Sequence, residues 1–295
     1  SFNDQVREER TRDRTDYNFS TNLGYEISER SSARLNGLYG ISDNTTDVNR
    51  WTTDLRSNPT TLAVQREDVP EDQDNWEIGG DYEYNFANGQ RFKVIVVTNE
   101  NDRSNVRERY DVYDNGTESK NLFLASASTT RERIVRGSYS MNVAQDQDIE
   151  FGAERAQTIL DSSLRYALKS TTGTPSADFG GLVPQKVSNS NSTVEEIRVE
   201  PFLVHNWQLN SRMTLESSLV YEMSEITQTG DVYNQRDFAF LKPKVDFRFD
   251  VTPTFQLNWN AERIVQQLSF SDFVAASDNQ DNDSNTQAGN ANLKQ

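Results

Sequence analysis

The sequence predicts an all-β fold, an antiparallel up-and-down transmembrane β-barrel, and three observations carry that prediction. Apolar and polar residues alternate with period 2 over long runs, the mark of strands with one apolar face. The connections between those runs alternate between short and long. Apolar residues make up only 34% of the 295 residues, yet 10% of the chain is aromatic.

The alternation is clearest over 75–86. Trp76, Ile78, Gly80, Tyr82, Tyr84 and Phe86 share one face, and Asn75, Glu77, Gly79, Asp81, Glu83 and Asn85 share the other. Over 16–28, Tyr17, Phe19, Leu23, Tyr25 and Ile27 oppose Asp16, Asn18, Ser20, Asn22 and Glu26. Leu241, Val245, Phe247, Phe249 and Val251 oppose Lys242, Lys244, Asp246, Arg248 and Asp250. Phe255, Leu257, Trp259 and Ala261 oppose Gln256, Asn258, Asn260 and Glu262. About ten strands follow: 16–28, 33–42, 75–86, 91–99, 121–143, 148–168, 194–209, 213–227, 238–251 and 255–267. Polar residues interrupt the alternation at 121–143 and 148–168.

Turn-forming residues sit at Glu29–Ser32, Ala87–Gln90, Ala144–Gln147, Asn210–Arg212 and Thr252–Thr254, where Asn, Gly, Asp, Ser and Pro favour tight connections. Longer polar connections are expected at 42–74, 100–120, 170–193, 228–237 and 269–295. A membrane barrel has short turns at one rim and long loops at the other. A soluble β-sandwich has no reason to alternate loop lengths so strictly. Several of the runs also exceed the usual 5–6 residues of a soluble strand. Phe86, Phe92, Trp207, Phe249 and Phe255 flank the short turns, where an interfacial aromatic girdle belongs.

Composition narrows the function. Mean hydropathy is −0.81, too polar for a dry core of this length but suitable for a barrel with a wet interior. The expected inward charges carry both signs: Glu77, Asp81, Glu83, Arg91, Lys93, Glu196, Arg198, Glu200, Lys242, Lys244, Asp246 and Arg248. A dry core could not hold them unpaired. A net charge of −16 argues against nucleic-acid partners. There is no cysteine, which excludes disulfide scaffolds and cysteine-zinc sites. No apolar run is long enough for a membrane helix, and no signal peptide is present. Both ends read as cut from a longer precursor.

Chemistry offers little. His205, the single histidine, has the parity of Ile197, Val199, Leu203 and Trp207, an outward position near a short turn, so a His-dependent hydrolase lacks its base. No catalytic residue, metal ligand or cofactor site is expected. Asp278 to Asp283 lacks the glycine and distal glutamate of a calcium loop and reads as a solvated acidic loop, as does Asp68 to Asp74. Arg103, Arg107, Arg109, Tyr110 and Tyr113 fall in the expected 100–120 loop. There they could bind an anionic or aromatic ligand or pair with Asp102, Glu108 and Asp111. Phe179, Tyr233, Phe270 and Phe273 are the other candidate ligand contacts in expected external loops.

The C-terminal third carries a resemblance. Leu241-Lys-Pro-Lys-Val-Asp-Phe-Arg-Phe-Asp-Val251 leads through a short turn to Phe255-Gln-Leu-Asn-Trp-Asn-Ala-Glu-Arg263, then Gln267-Leu-Ser-Phe-Ser-Asp-Phe-Val274 and Gly289-Asn-Ala-Asn-Leu-Lys-Gln295. This resembles the barrel of TonB-dependent outer-membrane receptors. Ala291 stands where that pattern has proline, and Gln295 where it has a second. The resemblance implies a 22-stranded barrel, of which 1–295 would be a partial barrel domain without the plug and the closing strands. It also implies residence in a bacterial outer membrane, with contacts to outer-membrane lipid and, through the plug, to TonB. The work implied is active uptake of a scarce small-molecule or oligosaccharide cargo such as a ferric siderophore. Another large outer-membrane channel, or a soluble β-rich binding module, is the alternative.

Overall fold

A computed structural model describes residues 3–265, 270–277 and 286–287. Ten long strands form one antiparallel sheet in which every chain neighbour is also a sheet neighbour. They are β1 (Asp4–Ser28), β2 (Ser31–Asp54), β3 (Thr61–Asn85), β4 (Arg91–Val112), β5 (Glu118–Ala144) and β6 (Gln147–Leu168). After a two-residue strand, β7 (Val183–Pro184), that pairs with β6, come β8 (Asn191–Asn210), β9 (Met213–Gly230), β10 (Asn234–Thr252) and β11 (Phe255–Glu262). The fold is all-β and up-and-down, as the alternation predicts.

Residues directly opposite in an antiparallel ladder share a face, so the register traces each face across the sheet. One row runs Phe19, Tyr39, Trp76. A second runs Tyr84, Phe92, Tyr139, Phe151, Leu203, Leu219, Pro243. A third runs Trp207, Leu215, Phe247, Trp259. These rows form an apolar belt. Much of it is exposed, including Tyr17, Phe19, Leu23, Ile78, Val96, Val135, Leu219 and Trp259. The opposite face carries the row Glu83, Lys93, Ser138, Gly152, Phe202, Val220, Lys242.

The belt occupies about nine positions per strand, for example 76–84 or 241–249. At about 3.3 Å per residue and a tilt of about 40° this spans roughly 20 Å along the sheet normal to the rims, close to the ~25 Å apolar band of membrane barrels. At the short-turn rim Phe86, one of the expected girdle residues, joins a cluster of aromatic rings. Tyr84 and Phe86 meet edge to face at 4.8 Å, Phe86 and Tyr139 lie 5.8 Å apart, and Tyr139 and Phe151 5.7 Å apart. Register shifts occur beside most of the short turns, at Glu26/Ser28, Asn142/Ala144, Gln208/Asn210 and Asp250/Thr252, where bulges are common.

The strands correct the expected loops. Most of 42–74, 100–120 and 228–237 is ladder, and the connections shrink to 55–60, 113–117 and 231–233. β1 likewise begins at Asp4, not residue 16. Beyond the belt both faces of β2, β3 and β4 carry polar and charged residues, some of them buried in pairs, so period-2 alternation disappears while the backbone ladder continues. Asp68 to Asp74, expected as an acidic loop, therefore lies in β3. Of the expected long connections before residue 260, 169–190 alone remains a long irregular one among the described residues, with a turn of 3-10 helix at Ala177–Phe179. β11 is observed to Glu262 rather than 267. Asp278 to Asp283 and Gly289 to Gln295 lie outside the described residues.

Candidate functional site

The polar face carries clusters of paired opposite charges. Arg198 lies 3.1 Å from Glu200 and 3.7 Å from Glu154, and Arg136 lies 3.6 Å from Glu154. Lys242 bridges Glu200 and Glu222. Arg34 holds Asp81 at 2.9 Å, and Arg248 holds Asp250 at 3.0 Å. Toward the short-turn rim this face encloses a hollow of about 730 Å³, with Asp148, Asn206, Gln208, Glu216, Asp246 and Asn258 in its wall. Side chains of five neighbouring strands converge on one space, so this face is the concave one there.

Toward the loop rim the polar face becomes apolar. Leu122, Leu124, Leu164 and Tyr166 pack with Ala275, and Leu160, Val194 and Ile226 pack with Phe273 and Val274. Residues 270–275 thus lie across the concave face. Gln228 fixes them with one buried amide: Nε2 donates to the Phe273 carbonyl and to Ser192 Oγ, each at 2.9 Å. Part of the 169–190 connection packs on the opposite face, where Phe179 and Leu182 cover Phe123, Ala125 and Ala167, while Val187 packs on the concave cluster. At Gly180, in the left-handed region with φ 64°, an added Cβ would meet the Phe123 ring at 2.5 Å. Glycine permits both that backbone and that approach.

The structure separates the candidate ligand residues. Arg103, Arg107, Arg109 and Tyr110 lie in β4, not in a loop, and Tyr113 begins the turn after it. The three arginines have side-chain partners other than Asp102, Glu108 and Asp111: Arg103 pairs with Glu71 at 2.9 Å, Arg107 with Glu67, and Arg109 with Asn121 at 2.8 Å. Burial lowers the Arg109 pKa. Tyr110 faces the other way. Its hydroxyl donates to Glu108 at 2.5 Å, and its ring carries Arg66 at 4.6 Å and Lys120 at 5.5 Å. Burial, then the bond to Glu108, pushes its phenol up. Phe179, Phe270 and Phe273 are packing residues. Tyr113 and Tyr233 are exposed at hairpin tips. His205 sits on the belt face, its ring 6.3 Å from Trp207 and its Nε2 3.2 Å from Gln147.

Sequence reasoning missed the apolar patch on the concave face. Its signal was present as even-numbered apolar residues at 122, 124, 160, 164, 166, 194 and 226.

No protein-family model matches the chain, and no curated protein matches it. Solved structures do. The chain is similar to a chain of the FpvAI–pyocin S2 complex, with TM-score 0.50 and 10% identity over 88% of this chain and 42% of that one. The fold is that of an outer-membrane β-barrel. The alcaligin outer-membrane receptor FauA of Bordetella pertussis aligns at TM-score 0.44 and 11% identity, over 86% of this chain and 42% of that one. The translocator domain of the autotransporter NalP of Neisseria meningitidis aligns at 0.31 and 9%, over 85% and 82%. The barrel chain thus spans less than half the length of the first two structures.

Proposed function

We propose that this chain is barrel wall of a TonB-dependent outer-membrane transporter of Gram-negative bacteria, working in uptake rather than catalysis. The carrying observation is the concave face. Its mixed charges are paired along the wall, and they surround a hollow of about 730 Å³ at the short-turn rim. A plug domain with a polar surface would dock there through hydrogen bonds and ion pairs at little desolvation cost. The belt face would meet outer-membrane lipid. Among the described residues β1 and β11 each pair on one side only, and such edges in lipid call for further strands to close the barrel.

On this reading the short turns face the periplasm, where TonB would act on the plug, and the projecting hairpins face outward. A small-molecule cargo such as a ferric siderophore, or an oligosaccharide, would be met by the hairpin tips. The fold of a receptor captured with pyocin S2 supports the receptor reading. The test is energised uptake in cells carrying the intact gene. Growth on the cargo as sole source of the nutrient should require both this protein and TonB. Uptake that continues after TonB is removed would instead identify a passive channel.

A further inference from the structure

The belt face is almost free of charge, and its exceptions cluster. Val135 and Arg155 are directly opposite on β5 and β6, as are Arg133 and Gln157. Arg133 and Arg155 are therefore diagonal neighbours on one face, about 7–8 Å apart at their Cα atoms. That face is the apolar one, since the same row continues through Val96 on β4, and through Val199 and Met223 on β8 and β9. Val96 and Val135 are exposed, and so are both arginines.

Neither arginine side chain has a hydrogen-bond or ion-pair partner among the described residues. This is unusual in a chain with 46 acidic and 30 basic residues, where most cations are paired. The contrast is sharpest with Arg131, two residues away on the same face, which is shared between Glu100 at 2.9 Å and Asp161 at 3.1 Å. Arg131 takes Glu100 and Asp161, and Glu195, the next carboxylate on this face, accepts from Gln157 Nε2 at 2.6 Å, so neither Arg133 nor Arg155 is paired among the described residues. The pair lies toward the loop end of the belt, where apolar residues give way to polar ones.

We infer that Arg133 and Arg155 form a binding site for the phosphate of a membrane lipid at the outward border of the belt. Two guanidinium forks on adjacent strands can each give a pair of parallel hydrogen bonds to one phosphate or to two phosphates on one headgroup. Val96 and Val135 beside them, and Tyr139 and Phe151 nearer the short-turn rim on the same face, would receive the acyl chains. The arginine stems lie along the apolar surface while the heads reach the headgroup layer. The proposal rests on the belt facing lipid and is independent of what the barrel imports.

The test uses the whole protein in nanodiscs of phosphatidylcholine with and without phosphatidic acid, reading retained lipid by native mass spectrometry after transfer to detergent. The wild type should retain phosphatidic acid. Arg133→Gln with Arg155→Gln should lose it, by roughly tenfold for each arginine. Arg133→Lys with Arg155→Lys should fall in between, because lysine keeps the charge without the fork. Inorganic phosphate at equal concentration should not displace the lipid; displacement would point to a free-phosphate site and overturn the lipid assignment. Equal retention by wild type and the glutamine pair also overturns it. Heat-modified gel migration checks that each variant is folded. If the wild type itself fails to enter nanodiscs, the membrane reading of the belt falls and this site with it. Entry without selective retention removes the site alone.

Discussion

Arg107 and Glu67 meet diagonally across β4 and β3 through two parallel hydrogen bonds, Nε to Oε2 and Nη2 to Oε1, each 2.9 Å long. Arg50 reaches the same carboxylate at 3.4 Å and Glu8 at 2.7 Å. Arg50, Glu67 and Arg107 are only 4%, 3% and 5% exposed. Glu67 therefore pairs with Arg107 and lies between two buried guanidinium groups, with Glu8 supplying the second negative charge. Glu67→Ala should leave both facing one another and cost about 3–5 kcal/mol, the usual penalty for stripping one partner from a buried pair. Replacing Glu67 and Arg107 together by Met should cost less than the sum of the single changes. Denaturant titration in bilayers of the four-member mutant cycle measures this. Additive costs would remove the claim that the pair is coupled.

The outer face of the same hairpin predicts a pH dependence. Burial works against the Glu108 carboxylate, but hydrogen bonds from Lys120 and Tyr110 outweigh it and hold its pKa below the ordinary value. Burial likewise opposes the Lys120 ammonium, and the bond to Glu108 again prevails, so its pKa is raised. A lowered carboxylate pKa stabilises above its unfolded value and loses that contribution as acid protonates the folded group. A raised lysine pKa stabilises below its unfolded value and loses that contribution as pH rises through the folded one. Hydrogen exchange at Val112 to Glu118, corrected for intrinsic rates, should show steady protection between about pH 5 and pH 10. It should weaken below about pH 4 and above about pH 10.5. Glu108→Gln should abolish the acid limb.

The two faces predict opposite responses to the same new charge. Ile78 is 53% exposed on the belt face, whereas Glu83 lies on the polar face opposite Lys93. Ile78→Arg should cost about 2–4 kcal/mol near the bilayer midplane. Glu83→Arg adds a charge to a wall that already carries both signs and should cost much less. Folding stability in bilayers separates them, and equal costs would mean that the belt does not face lipid.

How much of this was legible depended on what each segment faces. Over 76–84 one side meets apolar surroundings and the other a polar wall, so alternation is strong and the register can be read. Over 43–54 and 100–112 both sides are polar, and nothing in Asp-Val-Asn-Arg or Asp-Arg-Ser-Asn distinguishes ladder from loop. Backbone pairing continues there without a side-chain pattern. At 121–143 the apolar parity changes along one strand. Val135, Tyr139 and Met141 serve the belt, while Leu122 and Leu124 serve the concave patch, so a single-parity reading sees only interruption. The ion pairs Arg103–Glu71 and Arg107–Glu67 join positions 32 and 40 apart in the chain, which follow only from the full β3–β4 register.

The segment across the concave face should open when its anchor is removed. Phe273 is 1% exposed against Leu160, Val194 and Ile226. Phe273→Ala removes a packed ring worth about 3–5 kcal/mol, more than a short strap can lose while remaining docked. Gln228→Ala removes the two hydrogen bonds that reach Ser192 and the Phe273 carbonyl. A cysteine at Val194 should be slow to react with a thiol reagent in the otherwise unchanged protein and fast in either variant. Slow labelling in both would show that other contacts hold the segment.

Cargo recognition should reside in the hairpin tips rather than in the arginines of β4. Arg103 and Arg107 are held by Glu71 and Glu67, so a ligand would have to displace an existing ion pair to reach them. Tyr113 and Tyr233 carry no such cost. Tyr233 is 72% exposed at the β9–β10 tip, and its hydroxyl meets only Gln235 at 2.9 Å. Tyr113 is half exposed, and its backbone closes the β4–β5 turn through hydrogen bonds with Thr117 and Gly116. Aromatic rings at loop ends on a rigid scaffold are where binding groups collect. Tyr113→Ala with Tyr233→Ala should weaken growth on the cargo by roughly tenfold or more, about 1.4 kcal/mol of lost contact, with surface protein unchanged by labelling of intact cells. Replacing Asn88-Gly89 in the opposite rim by another tight turn should leave growth unaffected. Unchanged growth in the double tyrosine variant, with the protein present at the surface, would move recognition from the tips to the concave wall or to the plug that the hollow would seat.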